Sequence, residues 1–222
     1  MPRDGTSTRE RLLDSAQRLV LDQGFSATSV DQVIEEATSS KGAFFHHFPT
    51  KHDLGRALVA RYAAADIEHL HAFMAAAEAE TDDPAGQLIT FLRLFEDVAD
   101  DLVAEQQSSC LYVSFIHDRQ LVGDGGTDVI IEAVQVWRDV LRAKLEAAAH
   151  VRGLPDDIDL ADLADHVFVT FEGAFILGRT MRDGRHMRAQ LRVLRQLLQA
   201  VLAPAEPVDA PVHRKVSVAR AL

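Results

Sequence analysis

The residues best equipped for chemistry crowd into one stretch, positions 40 to 51. Lys41, His46, His47 and Lys51 all carry side chains that hydrogen-bond phosphate. Gly42 lets a backbone come close to another surface, and Ala43 is small enough to meet a thymine methyl. Phe44 and Phe48 stand four apart, so they share a helix face and are expected to pack inward while Phe45 points elsewhere. Basic and small residues interleaved with rings in this way suit contact with a nucleic-acid groove and its backbone.

Those side chains need a rigid carrier, and the flanking residues supply its punctuation. Thr28 and Ser29 are cap formers, whose hydroxyls accept backbone N–H groups that a first helical turn leaves unpaired. Asp31 falls in that first turn, where a carboxylate suits the positive end of the helix dipole. Val30, Val33, Ile34 and Ala37 form a short apolar stripe at helical spacing. Thr38, Ser39 and Ser40 favour a turn. A second helix over 40–47 follows and is stopped by Pro49, because the residue before proline leaves helical geometry. Thr50 then caps the next helix, with Asp53 three residues on as a capping-box variant. Two short helices joined by a tight turn match a helix-turn-helix, whose second helix enters the major groove.

The run SKGAFFHHFPTKHDL, with TSVDQVIEEAT before it, resembles the signature of the TetR family of bacterial transcriptional regulators. The resemblance covers about the first quarter of the chain. It implies a homodimer with a helical N-terminal DNA-binding domain and a divergent helical C-terminal domain that binds an inducer. Carried over position by position, it implies that Thr28, Ser39, Ser40, Lys41, Gly42, Phe45, His46, His47 and Lys51 face double-stranded operator DNA. Two departures stand out. The family usually has Ala-Gly-Val in the turn, where this chain has Ala37-Thr38-Ser39. The family's phosphate-binding tyrosine is Phe45 here, so that role passes to His46 or the contact is missing.

Composition agrees with an all-α protein. The chain has 222 residues, 47% of them hydrophobic, few glycines and prolines, and no long alternating pattern. No apolar run reaches about 18 residues, so no membrane span is expected, and an apolar signal region is lacking at the N-terminus. One cysteine excludes an intramolecular disulfide framework and fits a cytoplasmic location. The net charge of −11 runs against DNA binding taken globally. The binding footprint needs only a local patch, however. Of the four lysines, Lys41 and Lys51 lie in the motif, with Arg3, Arg9, Arg11, Arg56 and Arg61 near its edges.

The remaining order follows from periodicity. A first helix over 7–23 carries Leu12, Leu13, Ala16, Leu19 and Val20 and ends at Gly24. A long helix over 50–80 joins the motif to the second domain. Further helices are expected over 85–107, 108–121, 128–151, 159–182 and 185–202, with a glycine loop at 123–126. That loop is not a phosphate loop, since no strand precedes it and no Lys-Ser/Thr follows. The helix over 159–182 is apolar on more than one face, as a dimer seam requires, and Gly173 and Gly178 permit close helix approach. The family pairs its last two helices with their symmetry mates, and the pattern agrees. The domains are therefore 1–54 for DNA binding, 55–203 for ligand binding and dimerisation, and 204–222 as a disordered tail.

An inducer pocket is expected among the inward aromatics Phe91, Phe95, Phe115, Trp137, Phe168 and Phe171. His166 and Thr170 would supply polar specificity, and the lining suggests an apolar or aromatic ligand. Cys110 lies in Ser-Cys-Leu, which resembles the Gly-Cys-Leu of family members that sense oxidants or electrophiles. A thiol-switched regulator is thus one alternative, and a helical small-molecule carrier without DNA binding is another. His69 and His71 are two apart, and His166 and Glu172 six apart, so neither pair shares a helix face and no metal is expected. Neither a catalytic constellation nor a cofactor motif emerges, so an enzyme is not expected.

Overall fold

The computed structural model describes residues 5–104, 112, 127–153 and 157–203. Among these residues the chain forms eight helices and no strand: α1 (Gly5–Gln23), α2 (Val30–Glu36), α3 (Lys41–His47), α4 (Lys51–Glu80), α5 (Pro84–Ala104), α6 (Asp128–Arg152), α7 (Leu160–Met181) and α8 (Gly184–Val201). The all-α expectation is met. Of the helix expected over 108–121 only Tyr112 is described; the glycine loop, the tail, Arg3, Cys110 and Phe115 lie outside the described residues.

Local chemistry sets the boundaries of the first four helices. α1 ends on Gly24, whose φ of +86° a side chain would resist. Ser29 rather than Thr28 caps α2: its hydroxyl accepts the Gln32 N–H at 3.2 Å, and the Gln32 side chain accepts the Ser29 N–H at 2.8 Å. α2 then closes in a Schellman turn, with Thr38 N–H donating to the Glu35 carbonyl at 3.0 Å and Ser39 N–H to the Ile34 carbonyl at 2.9 Å. Ser40 caps α3 by accepting the Ala43 N–H at 3.1 Å. Thr50 and Asp53 cap α4 reciprocally at 2.9 and 3.1 Å. The Thr50 hydroxyl and then Arg56 hold the Asp53 carboxyl below the usual carboxylate range.

The turn does form without its glycine, at the cost of strain. Thr38 occupies the left-handed position with φ +49°, where a β-branched residue is an outlier. Thr38→Gly is therefore expected to stabilise the protein by about 0.5–1 kcal/mol, the steric relief exceeding glycine's added unfolded-state entropy. Urea denaturation of the two proteins measures the difference. An unchanged or lower midpoint would mean the turn is unstrained.

Two buried clusters divide the molecule. The first gathers Leu12, Leu13 and Val20 of α1 with Val33, Phe44, Phe48, Leu54 and Leu58, and reaches Tyr62, Tyr112, Ile130 and Ala133. The second packs the far half of α4 with α5, α6, α7 and α8 around Leu88, Phe91, Trp137, Leu141 and Leu191. α4 belongs to both. At about 1.5 Å per residue it is a rod of roughly 45 Å between them.

The outer face of α7 stays largely apolar, and α8 adds exposed Val193 and Leu197 among polar residues. Val169 is 63% exposed, Ile176, Leu177 and Met181 lie on the same side of α7, and Leu197 on α8 is 55% exposed. Leu197 is exposed although Leu191, Leu194 and Leu198 of the same helix are buried. Gly178 fits the close approach expected of it, since a methyl there would lie 2.9 Å from Val103 and 3.3 Å from Met187 Cβ. Gly173 instead faces open space, four residues from both Val169 and Leu177 in the exposed stripe.

Candidate nucleic-acid interface and ligand site

α3 is a short rod pinned from below by two rings. Phe44 and Phe48 are buried, their centroids 5.8 Å apart. The ring of Phe45 stands edge-on to Phe44 at 5.2 Å but is 50% exposed. With the helix anchored this way, Ser40, Lys41, Gly42, Phe45 and His46 face outward, while Ala43 and His47 are half-buried beside them. The two imidazoles lie 5.0 Å apart at the helix end. Lys41 Nζ is 2.9 Å from an Asp31 carboxylate oxygen. Both side chains are largely exposed, so the pair is weak and a phosphate competes with it readily.

Lys51 is held more firmly at the start of α4. Its ammonium donates to the Ser26 carbonyl at 3.2 Å and sits 4.6 Å above the Phe25 ring. Arg9 reaches from α1 over the Phe48 ring at 5.5 Å, adding a cation at the edge of the same surface. Two expected contact residues are placed elsewhere. The Thr28 side chain is buried and donates to the Gly24 carbonyl at 2.9 Å. Ser39 Oγ is buried without a hydrogen-bond partner among the described residues, because the Schellman turn directs it inward.

In the second cluster the expected aromatics do come together. Phe91, Phe95, Trp137 and Phe171 are buried and Phe168 half-buried, with neighbouring centroids 4.7 to 6.1 Å apart. Phe73 completes the cluster by stacking on Phe95 at 4.3 Å. Thr170 is half-buried, but His166 is exposed, since it falls on the outer side of α7. It therefore does not line this cluster.

Of the polar groups beside the rings, only Glu172 is weighed from sequence, as a metal ligand, while Asp66 and Tyr112 are passed over. Asp66 on α4 accepts the Trp137 indole N–H at 2.9 Å and the Tyr112 hydroxyl at 3.2 Å. Burial pushes its carboxyl up in spite of those donors. Burial and then the Asp66 charge push Glu172 on α7 up to about 7. Burial first, and then both carboxylates, raise the Tyr112 phenol. A signal did exist: Leu58, Tyr62, Asp66 and Leu70 repeat every four residues, which puts the aspartate in an apolar stripe.

The raised Glu172 has a consequence for stability. A carboxyl whose folded value exceeds its ordinary 4.5 favours the fold fully below that value and loses its contribution as pH rises through about 7. Glu172→Gln removes the charged form. It should raise the unfolding free energy by roughly 2–3 kcal/mol at pH 8 and by almost nothing near pH 4. Denaturant unfolding at the two pH values checks this, and a gain independent of pH would contradict it.

Comparison with known proteins follows the same division. Residues 12–58, which span most of α1 through the first turns of α4, match the family described as bacterial regulatory proteins, tetR family. The chain is 24% identical over 176 residues to the transcriptional regulator AcuR of Cereibacter sphaeroides, across 78% of this chain and 77% of that protein. It is 32% identical over 76 residues to the transcriptional repressor NemR of Escherichia coli, across 34% of this chain and 38% of NemR. A likeness over 79 residues to isocitrate dehydrogenase kinase/phosphatase of Anaeromyxobacter dehalogenans covers 13% of that enzyme, too little to carry its activity across. Among solved structures, regulatory protein TetR from Rhodobacter sphaeroides superposes with a TM-score of 0.69 at 21% identity, over 84% of this chain and 96% of that one. A regulator from Pseudomonas aeruginosa gives 0.72 at 17% identity, over 90% and 93%. None of the described helices is long and apolar enough to cross a membrane. Residues 12–58 thus carry the helix-turn-helix head of the family described as bacterial regulatory proteins, tetR family, and the helical body behind it shares the fold of the solved regulators.

Proposed function

We propose that this chain is a ligand-responsive repressor that binds a palindromic operator as a homodimer and is released by a small-molecule inducer. The observation that carries the reading is α3, which shows Lys41, Gly42, Phe45 and His46 to solvent on a buried base of Phe44 and Phe48. Each subunit places that helix in a major groove, and subunit spacing sets the half-site separation. Ser40, Ala43, His47 and Lys51 complete the contact surface. Residues 1–54 are the reading head and residues 55–203 the ligand-binding and dimerising part, acting on DNA in the cytoplasm. The apolar stripe on α7 and α8 supports dimerisation, since an exposed apolar patch of this kind marks an interface.

α4 links the functions. It begins at Lys51, just after α3, and carries Asp66 on its way into the second cluster. A ligand that favours a different α4 tilt shifts the dimer toward a spacing that no longer fits two half-sites. The test is a mobility shift with DNA flanking the protein's own gene. Tight binding that weakens steeply with salt supports the reading, because phosphate contacts release counterions. Lys51→Ala should weaken binding to every sequence alike, whereas Lys41→Ala should also change base preference. No binding to that DNA, or wild-type affinity in both variants, contradicts the docking of α3.

A further inference from the structure

Most acids packed into the second cluster of helices have a basic partner. Glu96, almost fully buried, lies 2.5 Å from Arg195 and 3.7 Å from Arg192. Arg152 closes on Asp83, and Arg138 on Asp165. Asp66 and Glu172 break this pattern. Asp66 receives two neutral donors, Trp137 and Tyr112. The carboxylate of Glu172 has no hydrogen bond or ion pair among the described residues, and the one charge acting on it is that of Asp66. His69 bears on Asp66 from the same helix but is exposed.

Two desolvated like charges are costly for a fold; protonation of Glu172 relieves the pair below about pH 7, and above it a cation between the two carboxylates would do so. A metal ion is a poor candidate, since no group of three metal-ligating side chains assembles among the described residues and Asp66 is already engaged by N–H and O–H donors. The rings argue for a different cation. Trp137 sits at the junction, donating to Asp66 while packing 6.0 Å from Phe168 and 5.6 Å from Phe171. Glu172 follows Phe171 directly and lies one helical turn beyond Phe168. Aromatic faces beside carboxylates are what recognises a substituted ammonium.

We infer that the inducer is an organic cation, its charge between Asp66 and Glu172 and its apolar body against Trp137 and Phe168. The inference rests on reading the second cluster as the inducer-binding part. It replaces the general expectation of an apolar ligand with a charged class.

Trp137 is the only tryptophan in the chain, so its fluorescence reports this site alone. The full-length protein is titrated with benzyltrimethylammonium and with its neutral isostere neopentylbenzene. The expected result is saturable quenching by the cation, roughly tenfold or more tighter than by the isostere. Glu172→Gln, or a fall from pH 8 to pH 5, should weaken the cation by about tenfold and leave the isostere unchanged. Equal affinities for cation and isostere, or no loss on Glu172→Gln, overturns the inference. If that variant fails to fold, the wild-type pair at the two pH values decides. A mobility shift on the same samples separates the two readings. Operator binding without cation selectivity sinks only this inference, and cation selectivity without operator binding sinks only the repressor reading.

Discussion

Leu197→Asp is expected to convert the protein from dimer to monomer and to weaken operator binding by roughly a hundredfold or more. Leu197 is more than half exposed on α8, so the aspartate meets water in the single subunit and the fold is undisturbed. In a dimer seam built from Val169, Ile176, Leu177 and Leu197, the same carboxylate would be buried without a partner. Burying an unpaired charge costs several kcal/mol, enough to dissociate a dimer of ordinary affinity. Loss of the dimer is then lost avidity: two linked heads exceed one by about 10²–10⁴ in affinity without any new contact. Sedimentation should show the halved mass, circular dichroism unchanged helix content, and a mobility shift the lost affinity. A variant that remains dimeric would place the seam elsewhere.

Phe44→Ala should cost about 3–5 kcal/mol, the usual range for removing a fully buried ring. Phe44 has no exposed surface and packs against both Phe45 and Phe48, so little can move in to fill the space. The first cluster draws on some fifty residues of head, with Tyr62, Tyr112, Ile130 and Ala133 added from beyond it, and a core of that size is marginal. The loss should therefore fall on the head, leaving the cluster around Leu88, Trp137 and Leu191 folded. Thermal unfolding should separate into two steps, and operator binding should vanish under conditions where ligand binding persists. Phe45→Ala is the control: half-exposed, it should change stability by less than about 0.5 kcal/mol while still weakening DNA binding. A single cooperative transition near the wild-type temperature in Phe44→Ala would show that the ring is not the anchor.

The head was legible because its instructions are local. Ser29, Ser40 and Thr50 are caps that act within three residues, and Pro49 ends α3 by its own geometry. What escaped was orientation at turns. Thr28 and Ser39 look equivalent to Ser40 in sequence, yet a left-handed residue at position 38 turns Ser39 inward, and the Gly24 carbonyl just after α1 occupies the Thr28 hydroxyl. In the second cluster, helical periodicity found the aromatic cluster because apolar residues repeat with the helix. It does not separate Leu197 from Leu194 and Leu198, since an apolar residue exposed on a single subunit and one buried by its own chain look alike in sequence. It passed over Asp66 because a lone acid in an apolar stripe reads as a solvated interruption until the indole and phenol donors are seen.

The most direct measurement is the composition and footprint of the complex with DNA flanking the gene. Hydroxyl-radical footprinting combined with the mass of the complex should give two subunits per duplex. The protected half-sites should be inverted copies on one face of the DNA, centred about one helical turn or a whole multiple apart. One subunit per site, or protection without inverted repeats, would contradict a pair of α3 helices presented by a symmetric dimer.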